Sequence, residues 1–301
     1  MRDVRPEPKP EARFPVPLSK LRAALEQTGV RKGDLVLVHS STRRLMDGWP
    51  LPDDETPTSL IPYSLAVIDL LIDAVGPTGH VLMPTESKQA GHPLGRFFNG
   101  SLFDYRTAPS SRGLITELFR RKSDVVRSVA PWYNISVWGP DATELVQEHI
   151  SAAPFPMGPG SPWFKFHERG GKVALLGTGF GKNSIIRLPE MTMPQLFPHP
   201  IHYDKPIALK YIDRDNLQKE AAFLIRIINN ENFELERFAG YVLKKHGIYS
   251  GVKLGSTEIW VYSSQQQYDM LIAEMKNGVY PAMARQWGDE FLEMTKLPET
   301  I

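Results

Sequence analysis

Polar residues follow two apolar segments of strand length. His39, Ser40, Ser41 and Thr42 come at the end of the run LVLV, and Thr85 ends the run VLMP. Buried parallel strands appear in sequence as continuous apolar runs, and α/β proteins bind ligands beyond the carboxyl ends of such strands. The sequence therefore predicts that these side chains meet at one functional edge of a sheet.

The elements that must position them alternate along the chain. Helical periodicity is found at residues 19–29, 64–76 and 113–122, and another strong apolar run, VALL, ends at Leu176. This alternation predicts an α/β fold with a central mixed, largely parallel sheet flanked by helices. From about residue 204 the pattern of apolar and polar residues changes. Residues 215–247 are expected to be mainly helical, and residues 258–271 to form a strand followed by a helix.

Prolines at positions 6, 8, 10, 15 and 17 predict a flexible arm over residues 1–17. The remaining residues, 18–301, are expected to form one domain. Its core spans 18–203, and a helical C-terminal subregion, 204–301, packs against that core and closes a cleft.

The 301-residue chain is 42% hydrophobic and carries 35 basic and 34 acidic side chains. This near balance predicts small-molecule partners rather than nucleic acid or an anionic membrane. No apolar run is long enough to span a bilayer and no secretory signal is evident, so a cytoplasmic location is expected. The chain has no cysteine, and its histidines are scattered, so no metal site is predicted.

Several motifs, in order, resemble the aminoglycoside 3-N-acetyltransferase family. They are LVLVHSS at 35–41, VLMPT at 81–85, FDYRTAPSSRGLITELFR at 103–120, VVRSVAP at 125–131, GPGSPWFKF at 158–166, and VALLGTG with the later Pro189-Glu190. The resemblance implies transfer of an acyl group from acetyl-CoA or another acyl-CoA to a small amine acceptor. It is compatible with a homodimer.

The resemblance also implies roles for the polar strand ends. His39, Ser40, Ser41 and Thr42 would hold the thioester and the pantetheine arm, since donors aimed at a carbonyl stabilise the oxyanion formed on amine attack. Thr85 would line the same cleft. The remaining cofactor contacts are assigned to the start of a helix, where amide groups and a guanidinium suit a phosphate: Ser110, Ser111, Arg112 and Gly113. Simple N-capping is the alternative for these serines and for GPGSP.

Two positions depart from the family pattern. The family uses a His-x-x-Glu arrangement after its Leu-Leu-Gly strand, and here Arg187 and Glu190 occupy those positions. The family commonly has Arg-Ser-x-His-Pro, whereas this chain has Ala130 at the histidine. An arginine cannot act as a base at neutral pH. Loss of a general base costs about 10² to 10⁴ in rate, so the acceptor is expected to differ from a typical aminoglycoside.

Three explanations of this departure stay open. The acceptor nitrogen is already neutral, with Arg187 and Glu190 shaping its pocket and Arg187 binding a carboxylate or phosphate. Another histidine supplies the base, the candidates being His39, His92, His199 and His202. Alternatively, the chain is a catalytically silent relative that binds CoA or a partner. The predicted catalytic residues are Glu190, Arg187 and His39.

The run Gly177-Thr178-Gly179-Phe180-Gly181 does not indicate a dinucleotide site. Its third glycine comes one position early, and no second strand with an acidic end follows at the required distance.

Overall fold

A computed structural model describes residues 13–87, 102–197, 200–226, 243 and 245–278. The described strands are β1 Leu35–Ser40, β2 His80–Pro84, β3 Phe103–Asp104, β4 Val125–Arg127, β5 Ile135–Trp138, β6 Lys172–Leu176, β7 Ile207–Ile212, β8 Gln218–Phe223, β9 Tyr249–Leu254 and β10 Thr257–Ser263. The described α-helices are α1 Leu18–Gln27, α2 Thr42–Met46, α3 Leu60–Val75, α4 Leu114–Phe119, α5 Ala142–Val146, α6 Pro162–Glu168, α7 Leu188–Thr192 and α8 Ser264–Lys276.

Seven strands form the central sheet in the order β4-β5-β2-β1-β6-β10-β9. β1 lies in the middle and pairs in parallel with both β2 and β6. The outer pairings are antiparallel. The predicted mixed α/β class, with a sheet flanked by helices, is confirmed. Within this seven-stranded sheet, parallel pairing is confined to the three central strands, because β5 and β10 are antiparallel to their neighbours.

Alternating side chains of the sheet face two hydrophobic layers. In β1, Leu37 belongs to one core cluster, whereas Val36 and Val38 belong to the other. This is the two-residue period of a strand that is buried on both faces. Helices α1, α3 and α4 supply the second cluster, through side chains such as Leu25 and Ile68. Helices α5 to α8 supply the first, and the result is a three-layer core.

The C-terminal part contains more strand than the sequence predicts. The expectation of helix over 215–247 is wrong at Gln218–Phe223, which forms β8 and pairs with β7 in a three-stranded sheet with β3. Lys219, Glu220 and Ala221 are all good helix formers, but helix propensity is a weak prior and cross-strand pairing overrides it here. The strand and helix expected over 258–271 are confirmed as β10 and α8. With β9, β10 extends the core sheet beside β6, so residues 249–263 are part of the core rather than a separate layer.

The N-terminal arm is ordered over its last residues. Phe14 and Trp49 exchange two backbone hydrogen bonds, both 2.9 Å long. Val16 is fully buried, and its carbonyl accepts a hydrogen bond from the Tyr63 hydroxyl at 2.9 Å. Flexibility is therefore a wrong prediction for residues 14–16, because burial of Val16 outweighs the cost of ordering a short segment. Residues 1–12 lie outside the described part of the chain.

Within the described residues, the helices are too short or too polar to cross a bilayer.

Candidate active site

The sheet topology brings the predicted polar strand ends to one edge. β1, β2 and β6 are parallel, so the residues that follow Ser40, Pro84 and Leu176 leave the sheet on the same side. β5 is antiparallel to β2, with Ile135 opposite Pro84, so its preceding residues lie at that edge too. The last residue of β4, Arg127, pairs with Ser136 and also belongs there. The predicted edge therefore exists, and it gains residues from β4 and β5.

His39 is held in its neutral form. Its Nε2 accepts a hydrogen bond from the backbone N–H of Ser184 at 3.3 Å. Burial, followed by the positive charge of Arg112, lowers the pKa of His39 to about 3. The lone pair that would accept a proton is thus already engaged, so the predicted catalytic role of His39 as a base does not fit this geometry. The imidazole instead fixes the segment that leads to Arg187.

Ser40, Ser41 and Thr42 remain at the surface of this edge, each half-buried. The Ser41 side chain accepts a hydrogen bond from the backbone N–H of Arg44 at 3.4 Å, and so caps α2. Its own N–H donates to the carbonyl of Leu176 at 2.9 Å. These bonds lock the loop between β1 and α2 against β6, which leaves this polar segment in a fixed position for a ligand.

Thr85 belongs to a polar network that we name the closed cluster: Thr85, Arg127, Ser128, Asn134, Ser136 and His149. All six residues are buried. The Thr85 hydroxyl donates to Asn134 Oδ1 at 2.9 Å and contacts the Ser136 hydroxyl at 2.9 Å. The side chain predicted to line the cofactor cleft is therefore engaged inside the protein, and it supports the edge from behind.

Arg127 is the charged member of the closed cluster. Its guanidinium donates to Asn134 Oδ1 and to the backbone carbonyls of Thr85, Tyr105 and Ala108. Burial, followed by repulsion from Arg120, lowers its pKa. A buried cation surrounded by neutral carbonyl dipoles is a structural element.

His149 completes the closed cluster. Its Nε2 faces the carbonyl of Pro156 at 2.8 Å, and its Nδ1 faces the Ser128 hydroxyl at 2.9 Å. A carbonyl can only accept, so the proton lies on Nε2, and Nδ1 accepts from the hydroxyl. Burial lowers the pKa of His149 to about 4. With both nitrogens engaged, His149 has a structural role.

The helix start at Ser110 to Gly113 differs from the predicted phosphate site. The N–H of Ser110 donates to the Glu117 carboxylate at 2.7 Å, and that of Ser111 to the Glu86 carbonyl at 2.7 Å. The N–H of Arg112 donates to the Ser110 hydroxyl at 3.2 Å. These backbone N–H groups already donate within the protein. The cofactor contacts predicted for Ser110 and Ser111 therefore cannot be made by free N–H groups. Gly113 adopts φ 118°, and nothing lies within 4 Å of where a Cβ would be.

Two arginines converge on one tyrosine, and we name this group the arginine pocket: Arg112, Tyr133 and Arg187. Tyr133 is hydrogen-bonded to Arg187, and the positive charge of Arg187 acts on Arg112. The Arg112 side chain is 56% exposed and forms an ion pair with Glu86, which is only 13% exposed. Desolvation, the largest cause, lowers the pKa of Arg112.

Local structure explains how the arginine pocket is assembled. Tyr133 adopts φ 52°, a strained conformation for a residue with a side chain, and Trp163 Nε1 donates to its carbonyl at 2.7 Å. Ser161 caps the helix that carries Trp163, accepting from the N–H of Phe164 at 3.1 Å. The capping interpretation of GPGSP is therefore confirmed. The motif contributes to the edge indirectly, by holding Tyr133.

Arg187 ends a short 3-10 helix, Ser184–Arg187. Asn183 caps that helix by accepting from the N–H of Ile185 at 3.0 Å, and its amide donates to Gln267 Oε1 at 2.8 Å. Burial opposes the charge on Arg187, but Tyr133 and Glu190 outweigh it and raise its pKa. Arg187 is thus a permanent cation at this site.

Glu190 is buried and paired with Arg226, which no sequence pattern singles out. Both of its carboxylate oxygens accept from Arg226, from Nε and Nη2, at 2.7 Å each. The two side chains are 2% and 5% exposed. The charge of Glu190 helps to raise the pKa of Arg187, but the bidentate partner of that carboxylate is Arg226.

His202 is a candidate base close enough to Glu190 for that charge to act on it. It pairs through its backbone with Arg226, and its pKa is lowered to about 4, mainly by burial. Its Nε2 is buried and has no hydrogen-bond partner among the residues described. His92 and His199 lie outside the described residues. Ala130, which we predicted to stand at the second family histidine, is fully buried. Within the described ranges, no group of three or more His, Asp or Glu is placed to hold a metal ion.

The sequence missed Tyr133 and Arg226. A signal for Tyr133 was available, since Trp132-Tyr133 is an aromatic pair that follows directly after the VVRSVAP motif. Arg226 lies 36 positions from Glu190 in the chain, and nothing in the spacing links the two.

The same architecture is found in a known enzyme class. A sequence model of the aminoglycoside 3-N-acetyltransferase family matches residues 37–276. The chain therefore belongs to that family, as its motifs predicted. Aminoglycoside N(3)-acetyltransferase IV from Salmonella sp is 27% identical over 234 residues, which are 75% of this chain and 80% of the relative. The aminoglycoside N(3')-acetyltransferase-like protein YokD of Bacillus subtilis is 31% identical over 196 residues, covering 60% of this chain and 67% of that protein.

Solved structures agree on the fold. Apo aminoglycoside acetyltransferase AAC(3)-IVa superposes with a TM-score of 0.69 at 23% identity, covering 94% of this chain and 97% of that chain. The binary complex of AAC-IIIb with CoASH gives a TM-score of 0.66 at 19% identity, covering 87% of this chain and 96% of the other.

Proposed function

We propose that this protein is an acyl-CoA-dependent N-acyltransferase whose acceptor is a small amine other than a typical aminoglycoside. Family membership supports the class of reaction. The observation that carries the altered acceptor is the position of Arg187. It is half-buried at the functional edge, hydrogen-bonded to Tyr133 and close to Glu190. A permanent cation at that point changes both the charge of the pocket and the route by which the acceptor loses its proton.

The acyl donor is proposed to be acetyl-CoA or another acyl-CoA, which supplies the acyl group as a thioester. The donor set at the edge suits such a ligand, because Ser40, Ser41 and Thr42 present hydroxyl groups on a loop locked to β6. Hydroxyl and amide donors aimed at a carbonyl oxygen stabilise the negative charge that develops there. Thr85 and the Ser110 to Gly113 segment remain predicted cofactor residues. The hydrogen bonds that these residues form within the protein favour a role in supporting the edge over direct contact with the cofactor.

No described histidine is well placed to accept the amine proton. His39 uses Nε2 to accept from Ser184, and Nε2 of His202 is buried away from solvent. We infer that the acceptor nitrogen attacks the thioester carbonyl as the free amine, which forms the carbon–nitrogen bond and an oxyanion, and that the carbon–sulfur bond breaks when this intermediate collapses. The amine proton then leaves to solvent, and the thiolate takes one up. In this scheme the protein contributes by positioning the reactants and stabilising the oxyanion.

Thiol release tests the proposal. The protein is incubated with acetyl-CoA and a panel of small amines that differ in charge and basicity, and the free thiol is measured with a chromogenic disulfide. We expect release with at least one acceptor, at rates that follow the fraction of that acceptor present as free amine. Between acceptors, the rising limb of the pH profile should therefore move with the pKa of the acceptor amine. A single profile shared by all acceptors would instead indicate a base on the enzyme.

A second candidate is a catalytically silent relative that binds CoA or a partner. The observation that favours it is the bidentate Glu190–Arg226 pair, because both carboxylate oxygens are engaged by an arginine rather than by a base. Binding of acetyl-CoA, measured by calorimetry, with no thiol released for any amine in the panel would favour this candidate.

Replacing Arg187 by histidine separates the two possibilities further. If Arg187→His creates acetylation of ordinary amino sugars in a protein that had no activity, the missing base was the defect. If the change instead removes an activity that the wild type has, the arginine has its own role.

A further inference from the structure

We propose that Gln267 and Tyr268, neighbouring residues of α8, are positioning residues that hold the two ends of one segment at the active site. That segment, residues 183–192, is named the Arg187 segment and also carries Glu190. The inference rests on the proposed function, which places Arg187 and Glu190 beside the acceptor. It gives α8 a task in the reaction that is carried out through other residues.

Tyr268 holds the C-terminal end of the Arg187 segment through a chain of two hydrogen bonds. The Thr192 hydroxyl lies 2.7 Å from the Tyr268 hydroxyl and 2.9 Å from the backbone carbonyl of Leu188. A hydroxyl has one hydrogen and a carbonyl only accepts, so Thr192 donates to Leu188 and accepts from Tyr268. Leu188 follows Arg187 directly and begins α7, the helix of Glu190. Tyr268 therefore acts through Thr192 on the first turn of α7.

Gln267 holds the N-terminal end of the Arg187 segment. The side-chain amide of Asn183 accepts from the backbone N–H of Ile185 through Oδ1, at 3.0 Å, and donates through Nδ2 to Gln267 Oε1, at 2.8 Å. Gln267 is fully buried and Asn183 is 1% exposed, so both bonds are shielded from water. The cap of the 3-10 helix Ser184–Arg187 is thereby attached to α8.

The Arg187 segment needs such support because it has little regular structure of its own. It consists mainly of a four-residue 3-10 helix and the five-residue α7, and helices this short are not stable alone. Its apolar side chains, such as Ile186 and Met191, belong to the same core cluster as Leu271 of α8. Apolar packing is not directional, so the hydrogen bonds at the two ends set the orientation of the segment.

The positioning residues are themselves anchored. α8 continues from β10, and Ser263 caps it by accepting from the backbone N–H of Gln266 at 3.3 Å. The centroid of the Tyr268 ring lies 4.6 Å from that of the His167 imidazole in α6. His167 Nδ1 in turn contacts the Ser264 hydroxyl at 3.1 Å. These contacts hold the Tyr268 hydroxyl at a defined place between α6 and α7.

The Arg187 segment also contacts the strand end that we propose for the acyl donor. The backbone N–H of Ser184 donates to His39 Nε2 at 3.3 Å, and His39 directly precedes the segment from Ser40 to Thr42. α8 and β1 therefore hold the Arg187 segment between them. A shift against α8 changes the distance from Arg187 and Glu190 to the acyl group. Misplacement by about 1 Å can cost about 10² in rate, so small displacements should be measurable.

Tyr268→Phe tests the inference because it removes one hydroxyl and keeps the ring. The thiol-release assay uses acetyl-CoA and the amine of the panel that the wild type acylates fastest. We expect kcat to fall about tenfold, while the dissociation constant of acetyl-CoA, measured by calorimetry, stays within about twofold of wild type. A kcat within about twofold of wild type would overturn the inference.

Tyr63→Phe is the matched control. The Tyr63 hydroxyl donates to the carbonyl of Val16 at 2.9 Å, and both residues belong to the core cluster on the other face of the sheet. Each variant loses one hydroxyl, so both should have a lower melting temperature, but Tyr63→Phe should keep kcat within about twofold of wild type. An equal fall of kcat in both variants would mean that Tyr268 acts through stability alone, and the inference would be overturned.

A double-mutant cycle assigns the effect to the contact between Tyr268 and Thr192. Thr192→Val removes that contact from the other side, whereas Thr192→Ser keeps a hydroxyl and should stay near wild type. The double variant Tyr268→Phe, Thr192→Val should have about the same kcat as Thr192→Val alone. Losses that multiply would show that the two side chains act independently, contrary to the inference.

Gln267→Met tests the N-terminal end of the Arg187 segment, because it removes the acceptor for the Asn183 amide. We expect the same pattern as for Tyr268→Phe, with a lower kcat and an unchanged dissociation constant of acetyl-CoA. A folded Gln267→Met protein with wild-type kcat would overturn the assignment of Gln267.

Failure of the proposed function is distinguishable from failure of this inference. If no amine releases thiol, hydrogen–deuterium exchange compares the peptide spanning residues 183–192 in the wild type, Tyr268→Phe and Tyr63→Phe. Faster exchange of that peptide in Tyr268→Phe alone would support the positioning role on a silent protein. Equal exchange in Tyr268→Phe and the wild type would overturn it.

Discussion

The closed cluster and the arginine pocket lie at the same edge of the sheet and differ in how their arginines are satisfied. Tyr133 belongs to the pocket, and the next residue, Asn134, is the centre of the closed cluster. Arg127 donates to one side-chain amide and three backbone carbonyls and is 4% exposed. Arg112 has an exposed ion pair, and its surroundings include a second guanidinium.

The difference teaches how to separate structural from ligand-binding arginines at one site. A guanidinium whose donors all meet fixed protein acceptors stabilises the fold and has no capacity for a ligand. A guanidinium that keeps part of its side chain exposed, as Arg112 does, can still contact a ligand. Residue type and motif membership do not distinguish the two. Both Arg127 and Arg112 lie in motifs shared with the family.

The largest expected effect is on Arg127. Arg127→Met removes the donors to Asn134 Oδ1 and to three backbone carbonyls in the protein interior. Each buried acceptor left without a donor costs about 1–3 kcal/mol, so we expect the free energy of unfolding to fall by about 5 kcal/mol. Urea denaturation measures it, with Arg121→Met as the control expected to change little. A loss below about 1 kcal/mol would remove the contrast between the two clusters.

The Glu190–Arg226 pair should show the next largest effect, since it is as buried as the closed cluster but adjoins the arginine pocket. Arg226→Met leaves the Glu190 carboxylate buried without its bidentate partner, and we expect a loss of about 3 kcal/mol in urea denaturation. The double variant Glu190→Gln, Arg226→Met removes both charges and should recover most of that loss. If the double variant is no more stable than Arg226→Met, the cost does not come from an uncompensated charge.

The closed cluster should also make the protein sensitive to acid. His149 has a pKa of about 4 in the folded state and an ordinary value near 6.5 when unfolded. The unfolded chain therefore binds the proton first, and stability falls as pH drops from 6.5 toward 4. The contribution of His149 amounts to about 2 kcal/mol between pH 7 and pH 5.

Unfolding free energies measured at pH 7 and pH 5 test this prediction. His149→Gln should be less stable at pH 7 but should lose about 2 kcal/mol less than wild type on going to pH 5. Equal losses in the two proteins would mean that His149 is protonated within the fold or does not contribute.

The smallest effect is expected in the arginine pocket itself. Arg112→Gln breaks an ion pair between an arginine that is 56% exposed and a carboxylate that is 13% exposed, and we expect the free energy of unfolding to fall by about 1 kcal/mol. Thermal unfolding at matched pH measures the change. A large loss of stability would place Arg112 with Arg127 among the structural arginines, and the comparison between the two regions would fail.

Much of the fold was readable from the sequence, for identifiable reasons. Strands β1, β2 and β6 and helix α3 have long apolar patterns, and the patterns predicted their type and order correctly. β8 was misassigned because most of its residues are good helix formers, whereas pairing with β7 decides the outcome. The parallel share of the sheet was overestimated for a related reason, since strand direction depends on how the connections return and not on residue pattern.

The candidate site, like the fold, was predictable from the sequence only in part. The position of polar strand ends fixed where the edge lies, because the carboxyl ends of parallel strands must share one side of a sheet. Direct roles assigned to Thr85 and His39 from position alone did not anticipate that hydrogen bonds within the protein engage both side chains. Nothing in the spacing could reveal those bonds, since their partners, Asn134 and Ser184, come from distant segments.

The sequence by itself determined the class of the protein and the sheet edge at which we place its chemistry, and it led us to predict that Arg187 stands at the position of the family histidine. Those features follow from local patterns and residue identity. Only the tertiary structure decided that Glu190 pairs with Arg226, that Arg127 is enclosed, and that Tyr133 is hydrogen-bonded to Arg187. Such pairings depend on long-range contacts, and burial, which decides the charge and availability of each group, is a property of the folded chain.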